Sequence, residues 1–432
     1  MKRIIKFLQR TYRHVLRSIA FYPVLISVLC VTLAVLALTV ENWEVVRSIK
    51  DKVPYLFIQD YETARSILSV FIGGIISLTV FSFSMVMVVL SQASSNFSPR
   101  LLPGLVSNSR HQFILGMYVG TLLYCIIIIT SLGARGIDAD TMGLSTMFAA
   151  ILSLTCIGLF VYFIHSISGA IQIQNIIDKI FKRCNAYADD VLMNADTKKI
   201  ALQYVDTSGW KVLNSNKTGY FRGFDSKLLQ KSIEKQENQI EVLPYLNKHL
   251  WEGMPILKVK DTVSDEEIEN LMFCLDISSD RHEDDKGVGG MIKLMEIAVK
   301  AMSPGINDPG TAIDAIAKLG RLLRKYLQFP HIASQPVENG KCVLIYHSIT
   351  AAELMRTLVQ PIRLYAKQDN TVMHELIGAL HFVTNGANIS DENRKVVYME
   401  LENLKEDIKS NIGNETDKNQ LLALYENGIN QF

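Results

Sequence analysis

The sequence predicts an α-helical membrane domain of four transmembrane helices plus a cytoplasmic α+β region, the latter a small β-rich module followed by a helical domain. Three observations carry this. Four uncharged apolar runs fall within the first 165 residues. The loops between them alternate between basic and mixed charge. The remaining residues return to an ordinary charged composition, with short aromatic segments first and helical periodicity after them. Averaged over 432 residues, the chain has a formal charge of +1, 20% charged residues and a mean hydropathy of +0.18. Those averages exclude a disordered chain, a disulfide-rich secreted module and a nucleic-acid binder driven by overall basicity.

The four runs span about 21–40, 67–90, 113–132 and 144–165, and none contains Asp, Glu, Lys or Arg. A bilayer needs about 20 apolar residues, and a buried helix of a soluble protein keeps a polar stripe at that length. The segment 1–20 carries Lys2, Arg3, Lys6, Arg10, Arg13 and Arg17 and no acid. It reads either as a topogenic flank or as an interfacial basic helix on anionic lipid. The long run behind it argues against a cleaved signal peptide.

The loop after the first run mixes Arg47, Lys50, Lys52 and Arg65 with Glu41, Glu44, Asp51, Asp60 and Glu62. The next holds Arg100 and Arg110 with no acid, and the last holds Arg135 with Asp138 and Asp140. The positive-inside rule then puts the N-terminus, the middle loop and everything after His165, the C-terminus included, in the cytoplasm. Cys30, Cys125 and Cys156 lie in the runs, and Cys184, Cys274 and Cys342 in a reducing compartment. Neither disulfides nor a metal site is expected from them.

The second run carries a stripe of small residues. At 100° per residue, Ser66, Gly73, Ser77, Ser84, Ser91 and Ser95 fall within a band of about 40°. The stripe is about 45 Å long at 1.5 Å rise, longer than a hydrocarbon core of about 30 Å. The helix is therefore expected to tilt or to project toward Ser98-Pro99. Thr79 and Ser82 fall off the stripe. One reading is helix packing, with Gly116-x-x-x-Gly120 of the third run as a partner surface. The other is that several subunits turn the stripe inward, so that hydroxyls line a polar pathway. No acid or base sits within the runs, which argues against a proton-coupled pump.

After His165 the chain holds 31 basic and 36 acidic residues, so no nucleic-acid partner is expected. The segment 169–199 reads as a helical extension of the fourth run. In the β-rich module, 200–262, strands are expected at 201–205, 219–225, 240–243 and 255–259, with a helix over 226–236. Gly219 and Gly253 are expected to serve backbone geometry. The mainly helical domain, 263–432, starts with a helix over 265–275 capped by Ser264 with Glu267 three residues on. The polar loop 278–287 holds His282 and several acids in no defined metal spacing.

A helix over 288–302 then meets the densest punctuation in the chain, 303–312. Pro304-Gly305 suits a type II turn. Asp308 suits an N-cap with Pro309 at the first helical position. The helix over 310–326 follows, then a strand over 341–346 and helices at about 349–366, 370–385, 389–411 and 415–429. The turn residues Ser303, Pro304, Gly305, Asn307, Asp308, Pro309 and Thr311 read either as a rigid connector or as a ligand site at a helix start. No Walker lysine loop, dinucleotide glycine motif, H-E-x-x-H or G-x-S-x-G elbow occurs, so no catalytic residue, metal or cofactor is expected.

The run AVKAMSPGINDPGTA, residues 298–312, resembles the signature of a bacterial membrane-protein family catalogued as domain of unknown function 2254. The end of the second run at 90–100, Gly219-Tyr220 followed by Asp225, and Leu115-Gly116 are similar to it as well. The chain departs from the pattern at Gly310 and at the His-Glu-Asp-Asp after Arg281. The resemblance implies an inner-membrane protein with an N-terminal helical domain and a large cytoplasmic region, without an established activity or substrate.

The leading expectation is a multi-pass protein of the bacterial inner membrane, a homo-oligomer of channel-like or transport-related kind. Its partners would be the lipid bilayer, further copies of itself and an ion or small molecule. The alternative is a membrane-anchored ligand-binding or signalling module using the 303–311 turn. A cytoplasmic-side enzyme is the third.

Overall fold

The structure, a computed structural model, describes residues 20–429 except 42, 53–56, 59, 97–108, 135–142, 198–205, 236, 282–285 and 338–339. The basic N-terminal segment 1–19, Ser98-Pro99, the strand expected at 201–205 and the acidic run 282–285 lie outside the described residues. The chain divides into two units, residues 1–175 and 176–432.

The first unit contains the four apolar runs as helices: α1 (Phe21–Val40), then a short α2 (Glu44–Lys52), α3 (Tyr61–Asn96), α4 (Ser109–Ala134) and α5 (Gly143–Ile171). All four long helices are apolar and long enough to cross a membrane. Three exceed their runs because polar flanking residues continue the backbone ladder beyond the apolar stretch, α3 reaching 36 residues. Helix α2 was not expected within the mixed loop. Its Val46 is buried, and Glu44 opens it while Lys50 and Lys52 close it, which suits the helix dipole.

Helix α4 is central: 44% of its most apolar stretch is buried, against 17–22% for the other three. Its Gly116 and Gly120 face α1. A Cβ at Gly116 would lie 2.8 Å from Ile26 Cδ1, and one at Gly120 would lie 2.7 Å from Cys30 Sγ. The Gly-x-x-x-Gly pair is therefore the surface on which α1 packs closely. It is not a partner for the serine stripe of the second run, because α1 already fills that groove.

Helix α6 (Ile173–Thr197) follows a break at Gln172. There the Asn175 amide donates to the Gly169 carbonyl at 2.8 Å and to the Gln172 side chain at 3.1 Å, meeting an acceptor that the helix end leaves open. The second unit then builds two sheets. In chain order their strands are β1 (Lys211–Asn214), β2 (Gly219–Phe224), β3 (Gln239–Val242), β4 (His249–Leu250), β5 (Pro255–Val259), β6 (Leu275–Ser278), β7 (Ile332–Pro336) and β8 (Val343–His347).

The five-stranded sheet has the order β1-β5-β3-β8-β7, and the three-stranded sheet β4-β2-β6. Among the described residues only β3 and β8 pair parallel, with Ile240 opposite Leu344; the other pairs are antiparallel. Ile240, Val242, Leu257, Val259 and Leu344 face a shared core with Phe221, Leu250 and Leu275 of the smaller sheet. The strand expected near 341–346 thus joins the β-rich part. Gly219 takes φ 153 and would place a Cβ 2.6 Å from the Ser278 carbonyl oxygen, so close pairing of β2 with β6 needs a glycine there.

The helix expected over 226–236 is split into a 3-10 turn, Ser226–Leu228, and α7 (Lys231–Lys235). The Asp225 carboxylate accepts from Lys227 N, and Asn270 accepts from Gln230 N at 2.8 Å while donating to the Leu228 carbonyl. These bonds to another element replace the helical ladder at 228–230. Helix α8 (Asp265–Cys274) opens with the expected capping box between Ser264 and Glu267. The rest is helical: α9 (Val288–Ala301), α10 (Pro309–Tyr326), α11 (Ala351–Leu354), a π turn over Met355–Val359, α12 (Gln360–Ala366), α13 (Asn370–Thr384), α14 (Asp391–Asn411) and α15 (Glu415–Ile429). The π turn interrupts the helix expected over 349–366. It lies just ahead of Pro361, which has no N–H to give the ladder.

Candidate functional site

Helix α3 has two distinct faces. Ala64, Leu68, Ile75, Ser82 and Val89 are buried against the other helices, mostly seven residues apart. Ser66, Gly73, Ser77, Ser84 and Ser91 are exposed. Ile75 and Ser77 are two residues apart, about 200° around the helix, so the stripe points away from the helices that α3 packs on. A Cβ at Gly73 would meet nothing within 4 Å. The Ser77 hydroxyl donates to the Gly73 carbonyl at 2.9 Å, so its hydrogen bond is met within its own helix. The off-stripe Thr79 likewise donates to Ile75 O, and Ser82 turns into the bundle. The side chain of Ser95 lies outside the described residues.

The 303–311 turn is built by local hydrogen bonds. The Ser303 carbonyl accepts from both Ile306 N and Asn307 N at 3.0 Å, and Asp308 N closes back to Ala301 O at 2.9 Å. The Ser303 hydroxyl donates to Lys300 O at 2.6 Å. Gly305 does not take a positive φ, which corrects the expected type II turn at Pro304-Gly305; the left-handed residue is Asn307, at φ 48. The backbone keeps its right-handed sense through 303–306 because Ser303 O holds two donors. It then reverses at Asn307, a residue type that tolerates this region.

Asp308 caps α10 as expected, accepting from Thr311 N at 3.1 Å and from the Thr311 hydroxyl at 2.6 Å, with Pro309 in the first turn. The chain's own carboxylate therefore occupies donors that an anion would otherwise take. Pro304, Gly305, Asn307 and Asp308 are exposed, and Thr311 is buried.

Two polar clusters had no counterpart in the sequence pattern. Glu41, 3% exposed, sits at the end of α1. It accepts from Leu144 N at 2.8 Å, Ser145 N at 2.9 Å and the Ser145 hydroxyl at 2.5 Å, and pairs with Lys50 at 2.7 Å. It thus caps α5 from a distance of 103 residues in the chain. No spacing signal links positions that far apart.

The second cluster lies on the five-stranded sheet. Glu241 of β3 is 2.7 Å from His347 Nε2 of β8 and 3.2 Å from Lys258 Nζ of β5. Lys258 also donates to Thr207 at 2.8 Å. Burial pushes the Glu241 carboxyl up, but the hydrogen bonds from His347, Thr207 and Lys258 outweigh it and hold the group below its ordinary value. The arrangement can fix an imidazole and store a buried negative charge. Among the described residues, no three His, Cys, Asp or Glu side chains are grouped to hold a metal ion.

The chain is similar to uncharacterized proteins of Mycobacterium bovis and Mycobacterium tuberculosis, 22% identical over 265 residues, which is 59% of this chain and 51% of theirs. It spans about half the length of the curated relatives it matches. No solved structure matches it. The family described as "Predicted membrane protein", domain of unknown function 2254, matches residues 16–381. With its four bilayer-length helices ahead of a sheet-containing and then a helical region, the chain belongs to that membrane-protein family.

Proposed function

We propose that the protein is an oligomeric, channel-like or transport-related component of the bacterial inner membrane, in which α3 from several copies lines or packs the central axis. The region after residue 175 lies in the cytoplasm and assembles or regulates it. The observation that supports this reading is the outward stripe of Ser66, Gly73, Ser77, Ser84 and Ser91 on a helix of 36 residues. Small residues allow helices of neighbouring copies to approach closely in lipid. Hydroxyls at the axis can replace part of an ion's hydration shell without a fixed charge. A site at the 303–311 turn, the second reading, requires a ligand to compete with the Asp308 carboxylate for the start of α10.

The test is ion flux from purified protein in liposomes. Wild type is expected to conduct and Ser84→Leu to conduct well below it while keeping the same oligomeric size. A well-folded oligomer that passes no ion under any gradient overturns the channel reading.

A further inference from the structure

The outer face of the three-stranded sheet is aromatic where a solvated face is ordinarily polar. Tyr220 of β2 and His249 of β4 are cross-strand neighbours, with ring centroids 4.9 Å apart and edge-to-face. Trp251 continues the row 4.7 Å from His249 and is 64% exposed. The alternate residues Phe221 and Leu250 point into the core, so the strands are amphipathic with a ring surface on the outside.

Cations border the row. The Arg281 guanidinium lies 5.1 Å from the Tyr220 ring centre, and Lys248 Nζ lies 5.4 Å from that of Tyr245. Arg281 Nε is buried without a hydrogen-bond partner. Among the described residues neither Arg281 nor the exposed Arg356 forms an ion pair, and Lys248 pairs with Glu353 only at 3.9 Å. Burial and Glu353 push the Tyr245 phenol up while Arg356 and Arg281 pull it down, which places both arginines in the field of the same ring. Two arginines without an ion pair stand out in a region whose acids outnumber its bases, 36 to 31.

We propose that this face binds a mononucleotide, with the base stacked on the exposed ring of Trp251 beside His249 and the phosphate held by Arg281 and Lys248. Every base offers a π face to such a row, and arginine without a carboxylate partner suits a phosphate. A bilayer surface is the other chemistry that draws Trp and basic residues together. It is less favoured because the rings pack edge-to-face into one another. The site is independent of the stripe on α3.

The experiment is calorimetric titration of the full-length protein in detergent with ADP, adenosine and pyrophosphate as probes. ADP is expected to bind saturably and more tightly than either half. Trp251→Ala should weaken it at least about fivefold and Arg281→Gln about tenfold, while Trp251→Phe retains it. Unchanged melting temperatures would confirm that the variants fold. Absence of saturable ADP binding up to millimolar concentration overturns the proposal, and so does equal binding by wild type and both variants. A Trp43→Phe, Trp210→Phe protein in nanodiscs reports Trp251 alone; quenching of that signal by brominated lipid instead of by ADP likewise overturns it.

Discussion

Glu41 ends an apolar run, yet it is held by two backbone N–H groups, a hydroxyl and an ammonium. A carboxylate at a helix start is stabilised by the dipole and by the open donors there. Glu41→Gln removes the charge 2.7 Å from the Lys50 ammonium, which is 13% exposed. Breaking a buried pair in this way costs about 3 kcal/mol, so the thermal midpoint of the detergent-solubilised protein should fall. Adding Lys50→Met should restore part of the loss, because the stranded cation is then gone.

Glu241 makes a second prediction, with a defined sign. Its folded pKa lies below the ordinary value, so its contribution to stability is present above the unfolded pKa of about 4.3. That contribution is lost as pH falls through the lowered folded value. Glu241→Gln should flatten the acid limb of a stability profile below about pH 4.3, and an acid limb identical to wild type would contradict the assignment.

At this scale the sequence was readable where the interaction is local. Ser264 with Glu267 and Asp308 with Thr311 are three residues apart, within one turn. Asn307 rather than Gly305 takes the positive φ because closure from Asp308 to Ala301 decides the reversal, which residue preference alone does not encode. Glu41 with Ser145 and Glu241 with His347 are brought together by folding alone.

The long apolar helices were legible because each is specified by its own residues. The strands β2, β3, β5 and β8 were legible as well, from short apolar or aromatic runs between turn residues, whereas β1, β4, β6 and β7 were not. β6 follows α8 directly at Cys274–Leu275 without a turn residue, and it exists because β2 pairs with it. β7 ends in Pro336 and, among the described residues, pairs only with β8; proline is tolerated at such a sheet edge, but it hides the strand from pattern reading. Glycines separate the two kinds of helix surface. A Cβ at Gly120 would sit 2.7 Å from Cys30 Sγ and 3.3 Å from the Ile26 carbonyl oxygen, while one at Gly73 would meet nothing within 4 Å. Gly120→Ala should therefore push α1 away from α4 and cost about 1–3 kcal/mol through overpacking. Gly73→Leu should leave the melting temperature of the single chain unchanged, yet shift the size measured by light scattering if copies meet along α3. A Gly73→Leu protein of wild-type size and wild-type flux would remove the stripe from the proposed subunit contact.

Over the whole molecule, the near-zero net charge is a cancellation. The basic N-terminal segment and the Arg100–Arg110 loop offset a C-terminal region with five more acids than bases. Short loops rich in Lys and Arg stay on the cytoplasmic side during insertion, whereas acids have little influence. The proposed orientation, with N-terminus and C-terminal region cytoplasmic, puts residue 138 outside and Asn307 inside. Thiol labelling can test this cleanly, because all six native cysteines are buried and burial pushes the Cys342 thiol up to about 11, leaving it protonated and unreactive at neutral pH. In intact cells, a membrane-impermeant maleimide should label Asp138→Cys directly and should label Asn307→Cys, on the exposed turn, only after permeabilisation. The reverse pattern would invert the proposed topology and put the C-terminal region, with the aromatic row of Tyr220, His249 and Trp251, on the wrong side for a cytoplasmic ligand.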